Sequence, residues 1–220
     1  ETETFSTSAG DLTITFIGHG TLMIQWGEKA IHVDPLTQYA DYSRLPKADL
    51  VLITHEHRDH LDAKAVEAIR TDKTALVLTQ ACAPQVQGGI IMGNGEVKTV
   101  EGIRIETVAA YNLVNMRSPG VPYHPKGQGN GYVLTLENRR IYVAGDTENT
   151  PEVKALKDID IAFLPMNLPP TMTPAMVADA ARAFKPKVLY PYHFGETDTS
   201  KLADLLKDTP EVEVRIRSMK

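Results

Sequence analysis

Apolar residues along this chain occur in short runs separated by turn residues. Residues 12–17, 21–26 and 30–33 carry the first of these runs, with glycine turns between them. Short apolar and β-branched runs bounded by glycine are typical of strands. The pattern therefore predicts an antiparallel meander at the start of the chain.

A strand, a loop and a helix are predicted after the meander. Residues 50–53 form a continuous apolar run of the kind found in buried strands, and an aspartate starts residues 62–70, in which Val66 and Ile69 share one face. Aspartate is a favoured N-cap, and this spacing is helical. The polar residues 54–61 would then form the connecting loop.

The remaining runs extend this pattern to the end of the chain. In each half strands come first and helices later, which predicts an α+β fold of two facing sheets with helices outside, a four-layer αββα sandwich. No shift in composition marks a linker, so residues 1–220 are interpreted as one domain, with a flexible segment predicted for the polar residues 1–10. Further strands are predicted at residues 74–78, 97–100, 103–108, 131–136, 140–144, 159–164, 188–190 and 212–216, and helices from Pro151 and at residues 174–184 and 200–206.

Composition narrows the candidate chemistry. Asp and Glu outnumber Lys and Arg by 28 to 23, a formal net charge of −5, and no basic stripe stands out, which disfavours nucleic-acid binding. Cys82 is the single cysteine, which excludes an internal disulfide and a thiolate-rich zinc site. No apolar run approaches the roughly 20 residues of a transmembrane helix. The Ser/Thr-rich start without Met leaves open a cytoplasmic protein and one exported after signal-peptide removal.

The loop after the buried strand concentrates metal-binding side chains. His55, His57, Asp59 and His60 lie within the stretch THEHRDHLD, and a loop can direct several side chains to one point. Solvated histidines in a capped turn would not account for this density, and burying them unpaired would be costly. Because imidazole and carboxylate are ligands of divalent metals, the loop predicts a metal site.

The run His-x-His-x-Asp-His after an apolar strand resembles the metallo-β-lactamase superfamily, whose fold is the αββα sandwich. Asp34 in IHVDP is similar to the acidic residue that supports the ligand loop, Asp146 in AGDT to the aspartate that commonly bridges two metals, and His193 in PYH to the last histidine. Within the superfamily, GHGTLMIQWGEKAIHVDP is most similar to the branch of L-ascorbate-6-phosphate lactonase and N-acylphosphatidylethanolamine phospholipase D.

The resemblance implies a dinuclear site with two divalent metal ions. Zinc is expected first because mixed His and carboxylate ligation with open positions suits it, while manganese and iron can occupy similar sites. Superfamily members that use two irons for electron transfer typically have Glu at the position of His57, so His57 favours hydrolysis. Carried over to this sequence, the first metal would be bound by His55 and His57, the second by Asp59, His60 and His193, with Asp146 between them.

One ligand of the first metal does not carry over from the branch. The branch usually has a histidine just after the strand that precedes the long Pro- and Gly-rich loop of residues 109–130, where this chain has Asn112. His124, in HPKG, is the nearest histidine and could reach in from the loop, although a substrate contact or a surface position would suit it equally. The sequence leaves open whether Asn112 or His124 completes the first site.

The implied activity is that of a metal-dependent hydrolase using a metal-bound hydroxide on a small lactone, ester or phosphoester. Asp59 and Asp146 would be the catalytic carboxylates, with Asp59 orienting the hydroxide and accepting its proton. The alternatives are a metal-binding redox or non-catalytic protein on the same scaffold, and a nuclease of the superfamily. The sequence gives no indication of oligomeric state.

Loops at the ligand end of the predicted sheets provide further candidates. Lys126 suits an anionic group on a small-molecule substrate, and His19, between two glycines, would support the metals or face the substrate. For each candidate, an ordinary solvated or packed loop residue is the alternative. The candidates for substrate contact or support of the metals are His19, Asp34, Tyr111, Asn112, Lys126 and Asn167.

Overall fold

Two seven-stranded sheets form the centre of the fold. The computed structural model describes residues 1–219. The first sheet follows chain order, and its strands are antiparallel up to the fourth and parallel from there on. Its strands are β1 (Thr2–Thr7), β2 (Gly10–Gly18), β3 (Thr21–Trp26), β4 (Lys29–Val33), β5 (Leu50–Leu52), β6 (Ala75–Leu78) and β7 (Ile90–Ile91).

The second sheet repeats this plan with antiparallel strands on one side and parallel strands on the other. Its strands, in spatial order, are β16 (Glu213–Val214), β15 (Val188–Tyr192), β14 (Ile161–Pro165), β13 (Arg139–Val143), β12 (Gly129–Leu136), β9 (Ile103–Ala110) and β8 (Val97–Val100).

Helices cover the outer faces of the sheets. Leu50 and Leu52 of β5 belong to the main core, whereas Val51 packs in a separate cluster with Val66 and Ile69. Because side chains alternate along a strand, the helix that carries Val66 lies outside the first sheet. The helices are α1 (Ala63–Ile69), α2 (Pro151–Lys154), α3 (Pro174–Phe184) and α4 (Ser200–Leu206).

The second sheet carries its own helix layer. Phe184 of α3 meets Tyr142 of β13 edge to face, with ring centroids 6.2 Å apart, and α3 also packs against α4. The α+β sandwich predicted from the sequence is confirmed. None of the helices within residues 1–219 is both long and apolar enough to cross a bilayer.

The prediction that residues 1–10 form a flexible segment is wrong. Thr2 to Thr7 form β1, which pairs antiparallel with β2 from Thr2 opposite Thr15 to Thr7 opposite Gly10. Polar residues suffice here because β1 is an edge strand and the β-branched threonines favour extended backbone. Glu3 also ties the strand down, since it accepts a hydrogen bond from Tyr190 of β15 (2.6 Å).

The long loop of residues 109–130 is shorter and more regular than predicted. β9 runs to Ala110 and β12 begins at Gly129, and between them lies a small hairpin of β10 (Met116–Ser118) and β11 (Val121–Pro122). Pro119 and Gly120 form its two-residue turn, and Gly120 has φ +76°, which the third position of a type II turn requires.

Candidate metal centre

Six of the seven histidines converge where several strands end. The carboxyl ends of the parallel strands β5, β13 and β15 deliver the loop of residues 54–61, Asp146 and His193, respectively. His19 follows β2, and His124 precedes β12. Side chains from both sheets therefore meet at one edge of the sandwich.

The first group of donors consists of His55, His57 and His124, whose ligand atoms all lie within 4.8 Å of one another. His55 Nε2 is 3.1 Å from His57 Nδ1. His124 Nε2 is 3.3 Å from Oδ2 of Asp146. The structure thus brings His124, and not Asn112, to the two histidines of the ligand loop.

The second group consists of His19, Asp59, His60 and His193, again with ligand atoms within 4.8 Å of one another. The backbone N–H of His193 donates to the carbonyl of His19 (3.1 Å), which joins the two halves of this group. His19 Nε2 donates to Asp59 Oδ2 (3.2 Å). His19, expected near the metals or the substrate, therefore lies among the candidate ligands.

Asp146 lies between the two groups. Its Oδ1 is 3.3 Å from His60 Nε2, and its Oδ2 is 3.3 Å from His124 Nε2 and 3.5 Å from His193 Nε2. One carboxylate thus reaches imidazoles of both groups, which is the placement expected for a residue shared by two cations.

Several buried atoms at this point have no hydrogen-bond partner among residues 1–219. They are His60 Nε2, Asp146 Oδ1 and both ring nitrogens of His193. Buried polar atoms are almost always paired, because an unpaired one costs free energy. A divalent cation would satisfy imidazole nitrogen and carboxylate oxygen together. The residues present therefore fit a metal centre.

Asp34 fixes the ring of His60 from behind. Its fully buried carboxylate accepts hydrogen bonds from His60 Nδ1 (2.7 Å), Thr54 Oγ1 (2.6 Å) and the Thr54 backbone N–H (2.8 Å). Since a carboxylate only accepts, Nδ1 of His60 carries a proton and Nε2 is the atom that faces Asp146.

Asn112 orients His124 in the same way. Its Oδ1 accepts from the backbone N–H of His124 (2.7 Å) and from His124 Nδ1 (2.8 Å). Its Nδ2 donates to Glu148 Oε1 (3.1 Å) and to the carbonyl of Pro170 (2.9 Å). Both ends of the amide are therefore used within the protein, and Nε2 of His124 is left facing His55 and Asp146.

Glu148 holds the start of the long loop, a role that no sequence pattern signalled. Its fully buried carboxylate accepts from the backbone N–H groups of Leu113 (2.8 Å), Val114 (2.8 Å) and Asn115 (2.7 Å), in addition to Asn112. An acidic residue just after Gly-Asp-Thr gives no indication of its partners, because they are backbone atoms that converge only when the loop has folded.

The electrostatics of the cluster suit cation binding. Burial lowers the pKa of His55 well below its usual value, and that of His57 is also lowered by burial and by His124. Although burial raises the pKa of Asp146, its neighbours His193 and His60 lower it well below the usual range. Neutral imidazoles and an ionised carboxylate are the protonation states that metal binding requires.

His60 and Asp59 show how strongly the groups are coupled. Burial lowers the pKa of His60, but the carboxylates of Asp146 and Asp34 outweigh it and raise the value well above normal. Burial raises the pKa of Asp59, but the hydrogen bond from His19 and the neighbouring imidazoles of His193 and His60 outweigh it and lower the value. The protonation of His60 therefore depends on Asp34 and Asp146, and that of Asp59 on His19.

Three residues of the cluster adopt backbone conformations that are rare for non-glycine residues. His19 (φ 54°), Asp34 (φ 43°) and His193 (φ 48°) all lie in the left-handed region. Such conformations cost about 1–3 kcal/mol each and persist where surrounding structure imposes them, commonly at functional sites.

Lys126 and Tyr111 share an acidic partner beside the long loop. Nζ of Lys126 contacts Glu152 Oε1, and the Tyr111 hydroxyl donates to Glu152 Oε2 (3.0 Å). Lys126 and Glu152 line a separate cavity with Leu156. Lys126 is therefore neutralised by an acidic neighbour and does not reach the metal-binding residues.

Asn167 also has a local partner. Its backbone N–H donates to Thr171 Oγ1 (2.8 Å), and its side chain lies against Gly195. The residue belongs to the loop after β14 and does not line the cavity over the cluster.

A cavity of about 630 Å³ opens over the cluster. His57, Asp59, His124 and Asp146 line its floor, and Arg58, Arg117, Tyr123 and Pro170 are among the residues of its wall. A small molecule entering the cavity would reach both donor groups.

Comparison with known proteins gives consistent matches. A family model described as Beta-lactamase superfamily domain matches residues 13–193. A UPF0173 metal-dependent hydrolase of Thermococcus onnurineus is 30% identical, over 90% of this chain and 94% of its own length. A solved structure from Parabacteroides distasonis, assigned as a metal-dependent hydrolase, is 48% identical, with a TM-score of 0.95 over 100% of this chain and 99% of that one. Igni18, a metallo hydrolase of Ignicoccus hospitalis, is 22% identical over 94% of both chains with a TM-score of 0.77, a likeness of fold.

Proposed function

The chain belongs to the metallo-β-lactamase superfamily and, within it, to the UPF0173 metal-dependent hydrolases, and we propose that it cleaves a small lactone, ester or phosphoester at a centre for two metal ions. The observation that carries the proposal is the position of Asp146, whose two oxygens reach imidazoles of two separate donor groups. His55, His60 and Asp146 also lie within 4.8 Å of one another, so the two groups meet at this carboxylate.

The donor sets divide between the two ions as follows. The first group offers three imidazoles, and the second offers two imidazoles with a carboxylate and His19 alongside. Zinc suits such mixed ligation, and the unshared positions would be open to water and substrate. The first ion would be held by His55, His57 and His124 and the second by Asp59, His60 and His193, with Asp146 available to both.

When bound, the two ions would supply an activated water and polarise the carbonyl or phosphoryl oxygen of the substrate. Asp59 is the carboxylate placed to orient that water and to accept its proton, since its side chain is 54% exposed, faces the cavity and is ionised. His19 Nε2 keeps Asp59 in place by hydrogen bonding to Oδ2. The cavity wall holds the substrate over these groups.

Chemistry and a sequence resemblance support the proposed substrate class. Lactones, esters and phosphoesters share an electrophilic centre with an oxygen leaving group, which hydrolysis at such a site can cleave. The similarity of residues 18–35 to the lactonase and phospholipase D branch supports this choice. We further propose that both sheets work as one domain, because each donor group draws on both of them.

The proposal is tested by metal analysis of the protein as purified and after reconstitution. We expect about two ions per chain, with a lower content in the double variant His55→Ala, His57→Ala. His32→Gln is the matched control, since His32 lies outside the cluster and contacts the carbonyl of Pro46 (3.1 Å). Wild-type protein that takes up no metal, or a double variant that binds as much as wild type, would contradict the proposal.

Hydrolysis of lactones, carboxylic esters, phosphomonoesters and phosphodiesters is then measured on the metal-loaded protein. Asp59→Asn should lower kcat by roughly two orders of magnitude or more, the typical contribution of a positioned acid or base. An Asp59→Asn variant with both ions and full turnover would remove Asp59 from the mechanism.

A further inference from the structure

Two arginines line the cavity beside the metal-binding residues. Arg58 lies between His57 and Asp59 in the ligand loop, so its backbone is placed between a candidate ligand of each ion. Arg117 belongs to β10, in the hairpin that the long loop forms over the site. The two guanidinium groups therefore come to one cavity from different halves of the molecule.

Neither arginine has an acidic partner within residues 1–219. Arg140, by contrast, contacts Glu106, and Arg215 and Arg217 contact Glu3. The described contact of Arg117 is with the ring of Tyr123, whose centroid lies 5.5 Å from Cζ. Stacking on an aromatic ring restrains a guanidinium and leaves its N–H groups free to donate.

The contact with Tyr123 also places Arg117 close to the first donor group. Tyr123 directly precedes His124, so the ring that supports Arg117 is tied to a candidate ligand of the first ion. Glu56 is the acidic residue of the cavity wall besides Asp59 and Asp146. A ligand above the cluster would thus meet two unpaired cations and one carboxylate in addition to the metal-binding groups.

We propose that Arg58 and Arg117 form a subsite for an anionic group of the substrate, a phosphate or a carboxylate, that is not itself cleaved. The proposal rests on the proposed hydrolase function and specifies its substrate as a small oxyanion-bearing molecule. Guanidinium groups recognise both oxyanions through paired N–H donors. Lys126, the cation that the sequence favoured for this task, is occupied by Glu152.

The test is calorimetric titration of the metal-loaded protein with inorganic phosphate and, separately, with acetate. We expect Arg58→Gln and Arg117→Gln each to weaken binding of the preferred anion about tenfold. The matched control is Arg44→Gln, because Arg44 is an exposed arginine outside the cavity. If the arginine variants lose more affinity for phosphate, the substrate is assigned a phosphate group. If they lose more affinity for acetate, it is assigned a carboxylate.

Metal content is measured on the same samples, which separates the subsite from the proposed function. Weaker anion binding at unchanged metal content supports the subsite. A double variant Arg58→Gln, Arg117→Gln that binds both anions as wild type does would overturn it, because the ions would then be the anion-binding groups. Failure of wild type to bind metal would contradict the proposed function instead, and comparison of phosphate affinity between wild type and the double variant would still decide the subsite.

Kinetic measurements on charged and neutral esters provide a second, independent test of the subsite. For esters that differ only by a second, non-reacting carboxylate or phosphate, both arginine variants should raise KM for the charged ester and leave the neutral ester unaffected. Equal effects on the two esters would show that the arginines act on something other than the anionic group.

Discussion

Gly20 leaves the space that the ring of His60 occupies. A Cβ at residue 20 would lie 2.8 Å from Cε1 of His60, and the ring cannot turn away freely because Asp34 holds its Nδ1 at 2.7 Å. We expect Gly20→Ala to displace His60 and to lower metal occupancy of the second site by about half or more, since positioning of a ligand is worth roughly 10–100-fold in metal affinity. Metal analysis at limiting zinc measures the loss.

The control for this substitution is Gly93→Ala. A Cβ at residue 93 would meet only the carboxylate oxygen of Glu96, at 3.3 Å, which is a flexible side-chain end. Equal metal content in both variants would show that Gly20 does not serve His60.

His32 gives a pH dependence that does not involve the metals. Burial lowers the pKa of His32 to about 4, whereas the unfolded chain titrates near 6.5. Because the unfolded state then binds the proton more tightly, the contribution of His32 to stability is complete above pH 6.5 and is lost as pH falls towards 4. The pKa difference, 6.5 minus 4, corresponds to a loss of about 3 kcal/mol.

Urea unfolding at pH 7 and pH 5 tests this, each with wild type and His32→Gln. Wild type should lose about 2 kcal/mol more than the variant between the two pH values, from 1.5 pH units at about 1.4 kcal/mol each. Identical losses would mean that His32 is not the buried neutral histidine that the structure shows.

Single residues also show how far a sequence can identify a site. His55, His57, Asp59 and His60 were predictable because their spacing is local. The interaction of Asn112 with His124 was not, since the two residues are 12 positions apart and meet only through the fold of a loop. Glu148 was missed for the same reason.

At the scale of elements, the loop that carries His124 depends on Glu148. Three backbone N–H groups and one side-chain amide donate to its carboxylate. Glu148→Gln removes the charge and one acceptor oxygen. The backbone amides of residues 113–115 should therefore be less protected from hydrogen exchange, and His124 should be held less firmly. We expect faster amide hydrogen exchange in this segment, with metal lost from the first site before the second.

Glu152→Gln is the control for the loop. Glu152 contacts the side chains of Tyr111 and Lys126 and leaves the backbone of residues 113–115 untouched. If both variants exchange at the same rate in that segment, the loop does not depend on Glu148.

Elements whose ends are marked by capping residues were predicted best. α3 runs from Pro174 to Phe184 as predicted, because Thr173 accepts from the Met176 N–H and proline favours the first turn. β1 was missed because an edge strand needs no apolar face. The hairpin of β10 and β11 was missed because its strands are short and exposed.

At the scale of the whole molecule, bound metal would couple the two sheets. Removing the ions with a chelator should therefore lower Tm, and adding zinc should restore it, because a ligand present at 100 times its Kd stabilises the folded state by about 2.7 kcal/mol. The His55→Ala, His57→Ala variant should respond less. A Tm that stays constant after verified metal removal would show that the ions do not bridge the halves.

The overall architecture was predictable because it depends on the order of strands and helices along the chain. The position of the metal centre between the sheets was not predictable, since it depends on how the two sheets pack against each other. Sequence similarity supplied Asp146 and His193 and pointed to His19, and the structure added the contacts of Asn112 and Glu148 behind His124.

Each donor group takes side chains from both sheets: His124 joins His55 and His57, and His193 joins His19, Asp59 and His60. A folding intermediate with only one sheet formed would therefore possess neither complete group. Only the fully folded protein would then bind metal tightly. The rate of zinc binding during refolding would therefore measure how fast the two sheets pack together.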